Sequence, residues 1–302
     1  MPQKPQHLVG ASALVGAVFI LTGGFVSARM YYDVGGAPAD VVALRYGVAA
    51  AVMLPIFIAN LGQLSRDPGW TRGAGLAVLG GAPFGVCVLT GVAGAPVTHG
   101  AGIVPAVALI QGTFLSYWLL REPLMAMRLL GLVIALVGLA VLVLPELRSG
   151  AATWWGELSY IAAGVLWGSF TVALKAWRIK PLQGAMLAAI FSLPYLVVYV
   201  AYLSPNILSV APVQTIAHGI YQGIIFNVAA VMLYGWGIGR LGAVAAVATM
   251  PLMPVFGALM EWFILGRAPL ASVWIAIAFI TLGVATTILA GRGHRNDSFK
   301  KN

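Results

Sequence analysis

Polar side chains that interrupt long apolar stretches are the residues of this sequence that could do chemistry. Gln111, Tyr221 and Asn227 are three of them. Side-chain amides carry both donors and acceptors, so they could hold a carboxylate, an amine or another amide. The alternative is that Gln111 and Asn227 only bond a neighbouring helix. We take all three residues as candidates to contact a small molecule.

Two more aromatic residues form a second candidate feature. Tyr160 and Trp167 are seven positions apart, so a helix would place both rings on one face. Gly164 lies between them and would leave room beside the rings. This spacing predicts an apolar surface bearing two amphipathic rings, which would suit a small amphipathic ligand.

Charged side chains inside apolar stretches are costly, so each needs a partner or a role. Glu261 and Arg45 both fall toward the same end of their stretches, and we expect them to pair. The pair would be either a structural strut or a gate. His99 starts another stretch at that end, where it could respond to pH or simply have its hydrogen bonds satisfied.

Prolines mark further positions of interest. Pro105 and Pro251 occupy corresponding places in the two halves of the chain, and Pro254 follows closely. Each removes a helical hydrogen bond and frees a carbonyl group. The matched prolines predict either breaks beside a binding site, acting as hinges, or simple kinks for packing.

Several enzyme chemistries find no support in the sequence. It contains neither a Gly-x4-Gly-Lys-Ser/Thr loop nor a His-Glu-x-x-His pair. The four histidines lack metal-ligand spacing, and the single cysteine, Cys87, excludes an internal disulfide. We therefore expect no cofactor, no bound metal and no enzymatic activity.

Composition identifies the environment of these residues. The 302 residues are 61% hydrophobic and 8% charged, with a mean hydropathy of +0.95, whereas a soluble domain carries about 25% charged residues. We predict an all-α integral membrane protein. Its ten spans are expected at roughly 8–29, 39–61, 73–92, 98–120, 127–145, 154–175, 182–203, 213–237, 242–265 and 270–290.

Basic residues predict the orientation. With the amino terminus inside, 13 of the 17 lysines and arginines lie on the cytoplasmic side, three lie outside and Arg45 lies within a span. The formal charge of +9 is scattered rather than gathered on one face, which argues against nucleic-acid binding. We expect a bacterial inner-membrane protein with both termini in the cytoplasm, present as a monomer or a homodimer.

An internal repeat divides the chain into residues 1–150 and 151–302. The segment LTGGF at 21–25 resembles LWGSF at 166–170, displaced by 145, so Thr22 stands where the second half has Trp167 and becomes a further candidate for ligand contact. The segment REPL at 121–124 resembles RAPL at 267–270, displaced by 146. Five spans per half is an odd number, so the halves should be inverted repeats, an arrangement common in secondary transporters.

These motifs carry a resemblance to a known family. The sequence LLREPLMAMRLLGLVIALVGLAVLV and its counterpart ILGRAPLASVWIAIAFITLGVATTIL resemble the closing motif of an EamA-type repeat, and LWGSFTVALK resembles the first helix of such a repeat. The whole chain is similar to ten-helix members of the drug/metabolite transporter superfamily. The resemblance implies alternating-access transport of small metabolites through a central cavity, with amino-acid exporters, including aromatic ones, as the nearest members.

Departures from the family pattern leave alternatives open. Ala268 replaces the acidic residue present as Glu122 in the first half, and neither repeat begins with an acid at mid-depth, unlike the four-helix relatives that couple transport to protons. The cavity should therefore be chemically asymmetric. Transport of drugs or other metabolites is the alternative substrate class, and a non-transporting membrane assembly protein is a more remote one.

Overall fold

The computed structural model describes residues 3–122, 124–150, 152–203 and 205–300, with side chains described except at 3–7, 243, 244, 247 and 288–300. Within this part of the chain all regular structure is helical. Pro123, part of the REPL motif, lies outside the described residues.

Helices follow one another with short connections along the chain. The first half contains α1 (Gln3–Asp33), α2 (Pro38–Ala59), α3 (Leu61–Arg66), α4 (Trp70–Gly80), α5 (Ala82–Gly94), α6 (Val97–Leu120) and α7 (Ala126–Ser149). The second half contains α8 (Trp154–Ala176), α9 (Pro181–Ile190), α10 (Pro194–Tyr202), α11 (Pro212–Gly219), a π-helical segment (Ile220–Ala229), α12 (Ala230–Leu241), α13 (Ala243–Thr249), α14 (Leu252–Phe263) and α15 (Ala271–Lys300).

Eight helical stretches of the described chain are long and apolar enough to cross a membrane. They match the first eight predicted spans within a few residues, and the last of them, Pro212–Leu241, is 30 residues long. The predicted spans 242–265 and 270–290 correspond to shorter apolar helices, Leu252–Phe263 and Ala271–Thr287. Helix length alone therefore supports eight of the ten predicted crossings.

Three predicted spans are broken into two helices each. Gly81 separates α4 from α5, Phe191 to Leu193 separate α9 from α10 ahead of Pro194, and Met250 and Pro251 separate α13 from α14. At the first break, Ser192 Oγ accepts a hydrogen bond from the N–H of Ala82 at 2.8 Å. The break between α9 and α10 thus satisfies a donor at the start of α5, as buried helix ends require.

Proline begins four of these helices: α2, α9, α10 and α11. The first position of a helix tolerates proline because its missing N–H would have no helical partner there. Three of these prolines, Pro38, Pro181 and Pro212, come directly before the predicted span starts at 39, 182 and 213. The start of α10 lies within the predicted span 182–203 and was not predicted.

Helices α7 and α15 form a tight seam between the two halves. A Cβ atom at Gly131 would lie 2.6 Å from the carbonyl oxygen of Gly283, and one at Gly138 would lie 2.8 Å from the N–H nitrogen of Ile280. The buried positions that line the seam on α7 are 131, 135, 138 and 142, and those on α15 are 276, 280, 283 and 287. Each position on α15 is its α7 counterpart displaced by 145, so the two helices meet through equivalent faces.

Other helices of each half also pack against helices of the opposite half. Helix α1 packs on α12 and α14, and its counterpart α8 packs on α5 and α6. Helix α2 packs on the π segment, and its counterpart α9 packs on α4. This exchange is the geometry expected of two repeats related by a pseudo-twofold axis.

Candidate functional site

A buried arginine lies at the junction of α1, α2 and the π segment. Arg45, on α2, is 1% exposed. Its Nε and Nη2 both donate to Oε1 of Gln222, at 2.9 and 2.6 Å. Its guanidinium lies over the ring of Phe226, 4.3 Å from the centroid. We call Arg45, Gln222, Phe226 and Gly24 the Arg45 centre.

Arg45 has no anionic partner in the part of the chain that the structure describes. Among the same residues its Nη1 makes no hydrogen bond. Gln222 is neutral, and its Nε2 donates to the carbonyl oxygen of Gly24 at 2.8 Å. Among the described residues a full positive charge is therefore enclosed by neutral groups, which include the amide of Gln222 and the ring of Phe226.

Glycines on α1 let the π segment approach closely. A Cβ atom at Gly23 would overlap the hydroxyl of Tyr221, and one at Gly24 would overlap the ring of Phe226. A π-helix carries more residues per turn than an α-helix and occurs frequently at functional sites. The two glycines and the π segment together place Tyr221, Gln222 and Phe226 against α1.

Two of the predicted contact residues lie at this centre. The Tyr221 hydroxyl donates to the carbonyl oxygen of Ile20 at 3.1 Å. Asn227 Nδ2 donates to the carbonyl oxygen of Arg45 at 3.3 Å. Both side chains are only partly buried. Asn227 therefore contacts the backbone of Arg45 and Tyr221 precedes Gln222 on the π segment, while the contact of either side chain with a ligand stays a prediction.

Trp167 and Gln111 lie in another group, where α5, α6 and α8 meet. The Trp167 ring stacks between Phe84 and Phe170, with centroid distances of 5.1 and 5.2 Å. A Cβ atom at Gly168 would lie 3.1 Å from Cβ of Gln111, so α6 and α8 are in close contact there. Trp167 and Gln111 are both partly buried.

Thr22 and Tyr160 are enclosed by the protein itself. Both are 0% exposed. The Thr22 hydroxyl donates to the carbonyl oxygen of Val18 in its own helix, at 2.9 Å. The Tyr160 hydroxyl donates to the carbonyl oxygen of Pro96 at 3.3 Å, and its ring fills the space left by Gly91. In this conformation both side chains serve packing.

The expectation that Gly164 leaves room for a ligand is wrong. A Cβ atom there would lie 2.6 Å from Cβ of Val107, because α6 fills that space. Helical spacing correctly places Tyr160 and Trp167 on one side of α8, but α5 and α6 cover that side.

Glu261 pairs with the start of α6, and the predicted ion pair with Arg45 is wrong. The Glu261 carboxylate accepts hydrogen bonds from the N–H of Val97 at 3.3 Å, the N–H of Thr98 at 3.0 Å and the hydroxyl of Thr98 at 2.6 Å. The first N–H groups of a helix lack helical partners and carry partial positive charge. The helix end therefore satisfies the carboxylate without an arginine.

His99 lies beside this capped end and joins two further carboxylates. Its Nδ1 is 2.5 Å from Oε1 of Glu157, on α8, and its Nε2 is 3.8 Å from Oε1 of Glu146, on α7. We call His99, Glu146, Glu157 and Glu261 the α6 cap cluster. The described residues contain no group of three or more such side chains placed to hold a metal ion. Hydrogen bonds of the cluster join α6 to α8 and to α14, and Glu146 brings α7 close to His99 without a hydrogen bond.

The prolines do not form the expected matched breaks. Helix α6 continues through Pro105, whereas Pro251 separates α13 from α14. Pro254 is buried in the first turn of α14, where a proline costs no helical hydrogen bond. A backbone break is therefore present at the second-half position alone.

Comparison with known families decides the wider classification. A model of the EamA-like transporter family matches residues 8–144 and matches again at residues 154–289. The chain belongs to the EamA-like transporter family. The two matches begin 146 positions apart, in agreement with the internal repeat.

Other comparisons with this EamA-like transporter bear on its fold. A crystal structure of another protein, 22% identical in sequence, superposes with a TM-score of 0.61 and covers 96% of this chain and 99% of that one. This likeness supports the fold alone. A search of curated proteins found no matching sequence. Family membership and the apolar helices establish a multi-pass membrane protein of a family that transports small molecules.

The EamA-like chain also has an open apolar groove of about 570 Å³ where the broken helices α4–α5 and α9–α10 meet. Cys87, Phe191, Ser192 and Tyr195 contribute to its wall, and the rest of the wall is alanine, valine and proline. None of the predicted site residues lines this groove. We place the candidate site at Arg45 instead, because enclosing an unpaired charge needs a functional reason and an apolar groove does not.

Sequence reasoning missed Gln222, Glu146 and Glu157. Gln222 lies next to Tyr221 and is as polar as Asn227, so the search for amides inside apolar stretches could have found it. Glu157 follows the cap residue Thr153 in the first turn of α8 and reads as an ordinary helix start. No sequence signal joins Glu157 to His99, because they are 58 positions apart.

Proposed function

We propose that this EamA-like transporter is a secondary carrier that exports small metabolites, above all amino acids, by alternating access. The proposal rests on how the two halves pack. The first helices of each half pack on the opposite half, and α7 and α15 meet through equivalent faces. A pseudo-twofold arrangement gives a carrier two states of similar energy, open to opposite sides.

The proposal includes a membrane arrangement. Residues 1–150 and 151–302 would form two inverted units of five spans each, with Leu252–Phe263 and Ala271–Thr287 completing the last two crossings. Both termini would lie in the cytoplasm of a bacterial cell, because that orientation leaves 13 basic residues inside and three outside. Three outer-end carboxylates, Glu146, Glu157 and Glu261, and the outer-end residue His99 support this arrangement by clustering at one end of the bundle.

The proposed contact residues are the candidates whose side chains are only partly buried. Gln111, Trp167, Tyr221 and Asn227 are partly buried and carry polar or aromatic groups, so they are proposed to line the substrate path. Thr22 and Tyr160 are fully buried and are proposed to shape that path through packing. Pro251 and Pro254 are proposed to form a hinge, because the backbone is broken between α13 and α14. Pro105 is proposed to kink α6, which continues through it.

The α6 cap cluster is proposed as the outer gate. It joins the ends of α6, α7, α8 and α14 through Glu261, His99 and their partners. Opening on that side would separate α14 of the second half from α6 of the first. Hydrogen bonds that close only one face of a carrier are suited to hold one of its two states.

Counterflow in proteoliposomes tests the proposed function. Vesicles containing the purified protein are loaded with a high concentration of one unlabelled amino acid and diluted into a trace of the same amino acid carrying a radiolabel. We expect transient accumulation of label well above that in protein-free vesicles, with and without a proton gradient. Absence of accumulation for every amino acid tested, together with uptake of cationic drugs, would instead support multidrug transport.

A further inference from the structure

We propose that Arg45 binds the carboxylate group of the transported molecule, so that the carrier selects metabolites with one carboxylate over amines, amides and neutral compounds. This inference rests on the proposed carrier function and names the substrate chemistry of the same site. It reassigns Arg45 from the gate that its expected pairing with Glu261 suggested.

The positive charge of Arg45 is buried. A guanidinium stays protonated in proteins, so Arg45 cannot avoid the cost of burial by losing its proton. Buried charges are normally paired with a charge of opposite sign. Arg45, at 1% exposure, is surrounded in the described chain by neutral groups, among them the amide of Gln222 and the ring of Phe226. An ionisable side chain at this depth implies a partner, and in the described chain none is anionic.

Nearby carboxylates cannot supply that partner because the protein already uses them. Asp40, on the same helix, accepts hydrogen bonds from the N–H of Ala37, the hydroxyl of Tyr199 and the N–H of Asn206. Glu261 caps α6. No described carboxylate is thus left for Arg45, and we infer that its anion is supplied by the transported molecule.

Donor geometry indicates a carboxylate. Nε and Nη2 of Arg45 converge on a single oxygen of Gln222, which leaves Nη1 and the second N–H of Nη2 side by side at the far end of the guanidinium. Two parallel N–H groups match the two oxygens of a carboxylate. Arg45 is thus held by Gln222 in an orientation that preserves one bidentate face.

Arg45 carries a single positive charge, so it suits a ligand with a single negative charge. Arg29, the single arginine of α1, donates to the carbonyl oxygen of Val92 at 3.0 Å and lies 3.8 Å from Asp33, so it is already occupied. One free cation balances one carboxylate but leaves a phosphate dianion half balanced. Tyr221 and Phe226 beside it suit an apolar or aromatic remainder of the substrate.

Matched substrate pairs test this inference in the wild-type protein. L-phenylalanine and L-tryptophan are each compared with their amides in the counterflow assay. We expect the acid to be taken up about 30-fold or more faster than the amide, the discrimination typical of a buried charge pair. Equal uptake of acid and amide would overturn the carboxylate assignment and leave the carrier function intact, whereas no uptake of any compound would overturn the carrier function itself.

Two variants locate the effect at Arg45. Arg45→Gln should lower uptake of the acid to that of the amide. Gln222→Glu gives Arg45 an internal carboxylate, so it should also abolish the preference for the acid, although it loses the hydrogen bond to the carbonyl oxygen of Gly24. Arg29→Gln is the matched control and should retain the preference. If Gln222→Glu folds and still prefers the acid as strongly as wild type does, Arg45 is not the carboxylate site.

Discussion

The carboxylate of Glu261 holds both the backbone N–H and the hydroxyl of Thr98, and so fastens the end of α14 to the start of α6. This contact crosses from one repeat to the other. A carboxylate at a helix start also interacts favourably with the helix dipole. Glu261 is therefore an anchor between the two repeats, independent of Arg45.

Glu261→Gln should weaken this anchor. It keeps the size of the side chain but removes the charge that strengthens the bonds to Val97 and Thr98, so we expect the free energy of unfolding to fall by about 1.5–3 kcal/mol. Chemical unfolding in detergent micelles measures the change. Glu122→Gln is the matched control, because the Glu122 ion pair with Lys175 is exposed and should contribute at most about 1 kcal/mol. Equal effects of the two variants would contradict a special role for Glu261.

His99 and Glu157 should behave as a coupled pair. His99→Ala strands a buried carboxylate, with an expected cost of about 3–5 kcal/mol. The double variant His99→Ala with Glu157→Gln leaves no stranded charge at position 157 and should be more stable than the single variant. A double-mutant cycle of unfolding free energies gives the coupling. Additive effects would show that the 2.5 Å contact contributes little in solution.

Gly23 should not tolerate even a methyl side chain as long as residue 221 carries a hydroxyl group. Gly23→Ala is expected to abolish counterflow, because its methyl group would overlap that hydroxyl. Tyr221→Phe removes the overlapping atom, so the double variant should recover part of the flux. Gly16→Ala is the control on the same helix, since its Cβ would lie 3.3 Å from a flexible Leu233 side chain. Normal flux in Gly23→Ala alone would mean that α1 and the π segment do not pack this closely.

Substitution of Trp167 tests the aromatic group of Phe84, Trp167 and Phe170 separately from the Arg45 centre. Trp167→Ala should reduce flux about tenfold while costing about 1–3 kcal/mol of stability, because two stacked rings lose their partner. Trp167→Phe keeps the stacking and should retain stability. Trp118→Ala, at a residue that is 79% exposed, should change neither quantity. Unchanged flux in Trp167→Ala would remove this residue from the proposed path.

Labelling of single cysteines decides between eight and ten crossings. The sequence has one cysteine, so Cys87→Ser provides a clean background. New cysteines at exposed Gln63, Ser149 and Ala268 are treated with a membrane-impermeant maleimide in intact cells. Ten crossings predict that Ala268→Cys and Ser149→Cys react and Gln63→Cys does not. Reaction at position 149 without reaction at 268 would indicate eight.

Helix positions could be predicted from sequence because they depend on local features. The span predicted at 98–120 corresponds to α6, Val97–Leu120, since Pro96 and the charged Arg121 bound an apolar run. Breaks were harder to predict. The Phe-Ser-Leu-Pro segment between α9 and α10 contains a proline, yet the prediction kept 182–203 as one span, and the glycine at 81 resembled many others. The π segment has no sequence signature that we recognise.

Partners across helices could not be predicted from sequence. Arg45 and Glu261 have opposite charges and similar expected depths, which is why their pairing looked favourable, yet each found a neutral partner. Depth along a helix follows from counting residues, but which neighbour a side chain faces depends on the rotation and packing of several helices together. Tyr160 shows the same effect, since its face of α8 was predicted and the covering glycines of α5 and α6 were not.

The contact between α7 and α15 restricts how the two halves can move. Backbone atoms of Gly131 and Gly283 interlock so closely that sliding one helix along the other would drive side chains into main chain. Tilting about the line of contact avoids that collision. The contact between α7 and α15 would therefore serve as an axis of rotation, and the motion proposed to expose Arg45 to one side or the other should be a rocking of the other helices around it.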